Sequence, residues 1–182
     1  MKKIVRIVLL VIVAVCILCP QSVYNPVEGC GKNSYNHETF WWPWGDHHHH
    51  GIDVFAKIGT PIHHATSLGI VIAITKEDMF GKENLGGNTV SVLGTHGRIY
   101  YYAHMKEVKT HVGAIVTKDS VLGTVGDTGN AKGKAPHCHF SILTAFPRFE
   151  HWVPSEKRTK RDDAFKMFFV NPVSALDGEQ LW

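Results

Sequence analysis

Little in this sequence points to a stapled, repetitive or fibrous protein. Only four cysteines occur, and two of them, Cys16 and Cys19, lie inside one apolar run near the start. Cys30 and Cys138 remain beyond it, so at most one intramolecular disulfide can form. Cys138 stands between two histidines, where we expect a small buried thiol rather than a bridge. There is no internal repeat and no low-complexity tract apart from four consecutive histidines, His47 to His50, which leaves out a solenoid or an array. No strong excess of one sign is present either: an ordinary 19% of residues are charged and the net charge is a mild +3. That balance gives no case for nucleic acid, although it suits an anionic polymer. The apolar fraction of 44% is ordinary for a globular chain, and 182 residues fit one domain with short terminal segments.

What is present begins with the leader. Lys2, Lys3 and Arg6 precede an unbroken apolar run from Ile7 to Cys19. Its length suits a signal peptide, or an anchor if it is retained, so residues 1–20 predict export. We place the protein in the cell envelope, in the periplasm or on the outer face of the cytoplasmic membrane, with membrane attachment through this segment if it stays. Bulky Val15 and Leu18 disfavour lipid modification of the cysteines that follow them. Residues 21–45 form an irregular arm rich in Gly, Pro, Asn and aromatics, with Phe40, Trp41, Trp42 and Trp44 free to pack or to line a cleft.

The domain proper spans residues 46–176, with 177–182 as a tail. Short β-branched or aromatic runs predict strands at Ile52–Phe55, Gly69–Ile74, Thr89–Leu93, Ile99–Ala103, Gly123–Val125 and Cys138–Ile142. Turn signals separate them and no long helical period intervenes, which predicts an all-β fold with a mainly antiparallel, sandwich- or barrel-like sheet. The charge run from Glu156 to Asp163 has the texture of a solvated loop or helix face, and Ala164 to Val170 is apolar enough to dock back on the sheet.

Thirteen histidines are the unusual count, because imidazole is both a common metal ligand and a near-neutral acid or base. His49 and Asp53 are four residues apart, about 13 Å on a straight strand, so they converge on one ion only if the chain bends. Gly51 between them permits a bend. His137 and His139 alternate around Cys138 and would stand on one strand face about 6.6 Å apart. His104 closes the aromatic strand Tyr101-Tyr102-Ala103, where a single histidine is more often structural than catalytic. Taken one at a time, each signal is weak.

Together they have a known order. His49-His50-Gly51-Ile52-Asp53 resembles the H-x-x-x-D signature of the lysostaphin/LytM-type zinc metallopeptidases, His137-Cys138-His139 resembles their H-x-H, and Tyr102-Ala103-His104-Met105 resembles the segment between. Gly59-Thr60-Pro61-Ile62, Val125-Gly126-Asp127-Thr128-Gly129 and Asn171-Pro172 are similar to the linking text, so the resemblance runs from about Trp44 to Pro172. It implies a LytM-type peptidase fold and a zinc ion held by His49, Asp53 and His139. It also implies His104 and His137 as catalytic histidines, with no organic cofactor. The activity implied is hydrolysis of peptide cross-links in bacterial peptidoglycan by a monomer. The alternative is an inactive member that activates another wall hydrolase, but such members typically lack zinc ligands, and all five residues are present here.

Some departures remain. Cys138 replaces a residue that is often Leu in the family, and should face the core. His47, His48 and His50 are extra and are expected in solvent or behind the ligands. His63 and His64 are expected to be exposed. Phe146 to Phe169 is longer than the usual link and could rim the groove. Asn33, Asn36 and His37 in the arm are available to occupy a fourth metal position.

Overall fold

The computed structural model describes residues 22–79 and 84–178, so the leader and the last four residues lie outside the described residues. The described residues form eleven strands: β1 (Pro43–Trp44), β2 (His47–His48), β3 (Ile52–Phe55), β4 (Pro61–His63), β5 (Gly69–Thr75), β6 (Asn88–Gly94), β7 (Arg98–Val108), β8 (Ile115–Val116), β9 (Val121–Val125), β10 (His137–Thr144) and β11 (Phe169–Val170). β1 and β2 make a small hairpin, and the other nine join one antiparallel sheet whose main path runs β11-β10-β7-β6-β5-β8. β3 adds to β10, while β9 bridges β4 and β7. The predicted all-β antiparallel class is therefore the observed one. Among the described residues no helix is long and apolar enough to cross a membrane.

Alternation along each strand sorts the side chains. On β10, Cys138, Phe140 and Ile142 are fully buried, and on β7 Tyr100 and Tyr102 join them beneath the sheet, packed with Ile52, Val54, Val90 and Val92. The opposite face carries His137, His139, Ser141 and Leu143 from β10 and Tyr101 and Ala103 from β7. Cys138 is thus a core thiol, as its place between two outward histidines requires, and both Cys138 and Cys30 are unbridged. Burial pushes the Cys138 thiol far above its ordinary range.

Two local features position the later site. The first is Gly51, which bends the chain between His49 and β3. A Cβ there would lie 2.2 Å from the Phe140 carbonyl oxygen and 2.6 Å from Ser141 Oγ. The glycine is required by close approach to β10 rather than by a left-handed backbone. The second is Asn171-Pro172 at the helix α1 (Pro172–Leu176). Asn171 Oδ1 accepts the Val173 N–H at 3.0 Å, and proline occupies the first turn, where its missing N–H costs nothing.

The exposure expected of His63 and His64 fails for His64. It is buried, with Nδ1 3.0 Å from Tyr102 Oη and Nε2 2.7 Å from Thr66 Oγ1. Burial pushes its pKa down to about 4, so a neutral ring fills the space under β5. His63 is half-buried and reaches Glu28 at 3.3 Å.

Candidate metal centre

His49 leaves β2, Asp53 sits on β3 and His139 on β10, where Asp53 and His139 are direct cross-strand partners. The register alone therefore sets two of the three groups side by side. The turn at Gly51 brings in the third. His49 Nε2, His139 Nδ1 and Asp53 Oδ1 form a triangle with edges of 2.9, 3.0 and 3.1 Å. Donors held about 2.0–2.1 Å from a tetrahedral zinc are about 3.3 Å apart, so the three atoms fit such an ion after a shift of a few tenths of an ångström. Among the described residues this is the group of histidine, cysteine and carboxylate side chains able to hold a metal ion.

Proton placement strengthens the fit. His49 Nδ1 faces the Thr39 carbonyl at 3.1 Å. A carbonyl only accepts, so Nδ1 carries the proton and Nε2 presents its lone pair to the triangle. His139 Nε2 lies 2.8 Å from Ser141 Oγ, and donation to that oxygen leaves Nδ1 free in the same way. Three electron pairs then face one another at hydrogen-bond distance, an arrangement that calls for a cation among them. Burial, together with His49 nearby, lowers the pKa of His139 despite Asp53, which favours the neutral, ligating ring.

The two remaining histidines border the triangle. His137 Nδ1 donates to the Ala135 carbonyl at 2.8 Å, which leaves Nε2 facing the site, 3.7 Å from Asp53 Oδ1. His104 needs a special backbone to arrive there. Alternation along β7 would send it to the core with Tyr100 and Tyr102, yet Met105 takes the core position and His104 has φ 61°. That left-handed residue is a bulge that turns the ring to the outer face, a conformation costing on the order of 1–3 kcal/mol that is typical of functional positions. Its Nδ1 donates to the Thr128 carbonyl at 2.9 Å, and the ring centroid lies 4.9 Å from that of His137. Burial, then the neighbouring His139 and His137, push its pKa down to about 4. At neutral pH His104 is an uncharged imidazole.

These groups line an open cleft of about 520 Å³ whose walls include Trp44, Phe55, Tyr101, Lys134 and Arg161. Trp44 is the arm aromatic that reaches the cleft; Trp41 instead stacks on His48 with ring centroids 5.0 Å apart. Asn33, Asn36 and His37 do not line it, so their availability as a fourth ligand is not realised. Asn36 has a different task. Its side chain and carbonyl accept from Glu38 N–H and Thr39 Oγ1 at 3.0 Å each, folding the turn that aims the Thr39 carbonyl at His49.

Sequence reasoning missed three supporting residues. Thr39 acts through its backbone, which no side-chain pattern records. Ser141 continues the H-x-H alternation by two residues, so its position was available as a signal. Asp162 was assigned to a solvated charge run, and the structure corrects this: it is buried. It accepts the His48 N–H at 2.7 Å and lies 3.1 Å from His48 Nδ1 and 2.6 Å from His50 Nε2. The histidines on either side of His49 are therefore pinned by one carboxylate, whose pKa these contacts, against its burial, hold at about 2.

Known proteins are similar to part of this chain. The model of the family described as "Peptidase family M23" matches residues 47–149. Lysostaphin of Staphylococcus simulans is 34% identical over 97 residues, covering 52% of this chain and 18% of the relative. The peptidoglycan DD-endopeptidase ShyA of Vibrio cholerae is 30% identical over 97 residues, 52% of this chain and 20% of the relative. A zinc containing peptidase from Vibrio cholerae has a similar fold, with a TM-score of 0.52 and 23% identity over 68% of this chain and 37% of that one. The chain spans about a fifth of the length of these two curated relatives. With more than half of its residues matched by the family model, the chain belongs to peptidase family M23.

Proposed function

We propose that this chain is a zinc-dependent endopeptidase that hydrolyses peptide cross-links of bacterial peptidoglycan. The observation that carries the reading is the His49–Asp53–His139 triangle of converging lone pairs, with two uncommitted imidazole nitrogens beside it. Two nitrogens, one carboxylate oxygen and an open side toward the cleft make a catalytic rather than a closed structural donor set. Zinc bound there supplies Lewis acidity, polarising a scissile carbonyl and acidifying a water. The chain's own residues do the rest. Thr39, through His49, and Ser141, through His139, fix the ligand tautomers. His104 and His137 each hold a proton on Nδ1 and present a bare Nε2, so either can take a proton from water and return it to the leaving amine. Trp44 and Tyr101 wall the open cleft and offer aromatic surface to an extended peptide. The curated relatives include enzymes named for peptidoglycan and glycyl-glycine bonds, which supports the substrate class.

Digestion of purified peptidoglycan by the full chain tests this, with product masses, a His139→Ala control and a chelator-treated sample. Cross-linked dimers should fall to monomers only with the intact, zinc-loaded protein. A chain that binds zinc and leaves every cross-link in place is not the enzyme, and an activating partner role would replace it.

A further inference from the structure

The carboxylate, ammonium and guanidinium groups that line the cleft, among the described residues, belong to Asp53, Lys134, Arg161 and Asp162. Asp53 is part of the metal triangle, and Asp162 is engaged by His48 and His50. Arg161 pairs with Asp46 at 3.3 Å. Lys134 is the cation left over. It has no carboxylate partner among the described residues, and its ammonium sits over the ring of Trp44, 5.1 Å from the centroid.

Both partners of that contact are held in place. The Lys134 N–H donates to the carbonyl of buried Ala131 at 2.9 Å, and the Asn130 N–H to the Leu85 carbonyl at 2.9 Å, which ties this loop to another residue of the cleft wall. The next residue, Ala135, supplies the carbonyl that fixes His137 Nδ1. Trp44 pairs with His47 in the β1–β2 hairpin, and its ring meets the His49 ring edge-on with centroids 5.8 Å apart. Two contacts of 5.1 and 5.8 Å in series put the Lys134 ammonium no more than about 11 Å from the His49 ring, the span of about three residues of extended peptide. A substrate stretched past the metal centre therefore passes one uncommitted positive charge close to its scissile bond.

We propose that Lys134, seated on Trp44, pairs with a free carboxylate of the cross-link within about three residues of the bond to be cut, and so selects carboxylate-bearing cross-links over their amidated counterparts. The inference rests on the peptidase reading of the cleft and adds to it the chemistry of the preferred substrate. An ammonium carries three N–H donors and the indole face occupies only one side of it, so the others point to the ligand. A carboxylate answers with full charge, whereas a carboxamide offers a dipole. The aromatic wall keeps water from one side of the pair and strengthens it relative to a pair in bulk solvent.

The test uses the full, zinc-loaded chain and two synthetic cross-linked peptide dimers. Every carboxyl near the scissile amide is free in the first dimer and amidated in the second. The parent should show kcat/KM about fivefold higher for the free acid, the upper end for an ion pair that water still reaches. That ratio should shrink as salt is raised. Lys134→Gln should bring it near one, Lys134→Glu should invert it, and Lys134→Arg, which keeps the charge and the ring contact, should retain it. Equal rates in the parent, or a ratio that Lys134→Gln leaves in place, would overturn the proposal and leave the peptidase reading standing. Cleavage of neither dimer would overturn the peptidase reading instead; calorimetric titration of the chain with each dimer then decides the carboxylate preference, and equal dissociation constants overturn it.

Discussion

Replacing Gly51 with alanine tests the link between strand packing and the metal centre. The new Cβ would meet the Phe140 carbonyl oxygen at 2.2 Å, the Phe140 carbonyl carbon at 2.9 Å and Ser141 Oγ at 2.6 Å. A carbon belongs roughly 3.5 Å from such atoms, so the turn into β3 must retreat from β10 by about 1 Å. Two of the three atoms are backbone of a strand paired on both edges, and they have nowhere to go. Overpacking of this severity costs about 3 kcal/mol, with about 1 kcal/mol more for a weakened ladder hydrogen bond. The same retreat pulls Asp53 from His139, its partner in the register, at a site where the donor atoms are 3.0 Å apart. Zinc affinity should then fall at least about tenfold. Urea denaturation of the metal-free protein gives the first number, and competition with a chromophoric chelator gives the second. A variant within about 0.5 kcal/mol of the parent, with unchanged zinc affinity, would refute the claim that close approach is why this position is glycine.

Three further outcomes follow from named contacts. Ser141→Ala removes the oxygen that orients His139 and should lower zinc affinity roughly 10–100-fold while the melting temperature barely moves; an unchanged dissociation constant in chelator competition would refute the tautomer assignment. Asp162→Ala leaves the buried His48 N–H and Nδ1 and the half-buried His50 Nε2 without their carboxylate and should cost about 3 kcal/mol in chemical denaturation, with Asp162→Asn falling between because its amide oxygen still accepts; identical stability for both variants counts against the clasp. His64 is neutral in the fold with a pKa of about 4 against 6.5 ordinarily, so its favourable contribution is complete above pH 6.5 and is lost as pH falls toward 4. That amounts to about 3 kcal/mol, and His64→Asn should flatten the stability profile over this window; parallel profiles would show that His64 does not titrate there.

Strand positions were readable where the period was clean. Ile52–Phe55 has the predicted bounds, and Gly69–Ile74 and Thr89–Leu93 grew by a residue at one end or both. β7 outran its prediction, Ile99–Ala103, by five residues at its far end, because the bulge at His104 breaks the alternation without ending the strand. The side-by-side placement of Asp53 and His139 follows from local strand alternation, and the turn at Gly51 brings His49 to them, whereas His104 reaches the same face only through a bulge that no alternation predicts. Long-range partners were not readable. Asp162 meets His48 across 114 residues of sequence, and nothing in a run of mixed charge singles out one aspartate as buried. His64 looked like loop polarity because its partners, Tyr102 and Thr66, satisfy a ring that only the folded core brings under cover.

The tautomers of the centre are set mostly by backbone. Thr39, Thr128 and Ala135 each offer a carbonyl to a histidine Nδ1, and all three carbonyls belong to turns or loops rather than strands. Side-chain substitution at those positions leaves the acceptor in place, so the chemistry depends on loop conformation more than on loop residue identity. The strands supply placement: β3, β7 and β10 bring Asp53, His104, His137 and His139 to one face. The loops decide which nitrogen of each ring meets the cleft. A change that tilts the Asn36–Thr39 turn would therefore allow His49 to exchange its protonated and bare nitrogens without moving the ring. Two-dimensional nitrogen NMR of the imidazoles in the metal-free protein should show His49, His104 and His137 as Nδ1–H tautomers, and Asn36→Ala should shift only His49 toward Nε2–H.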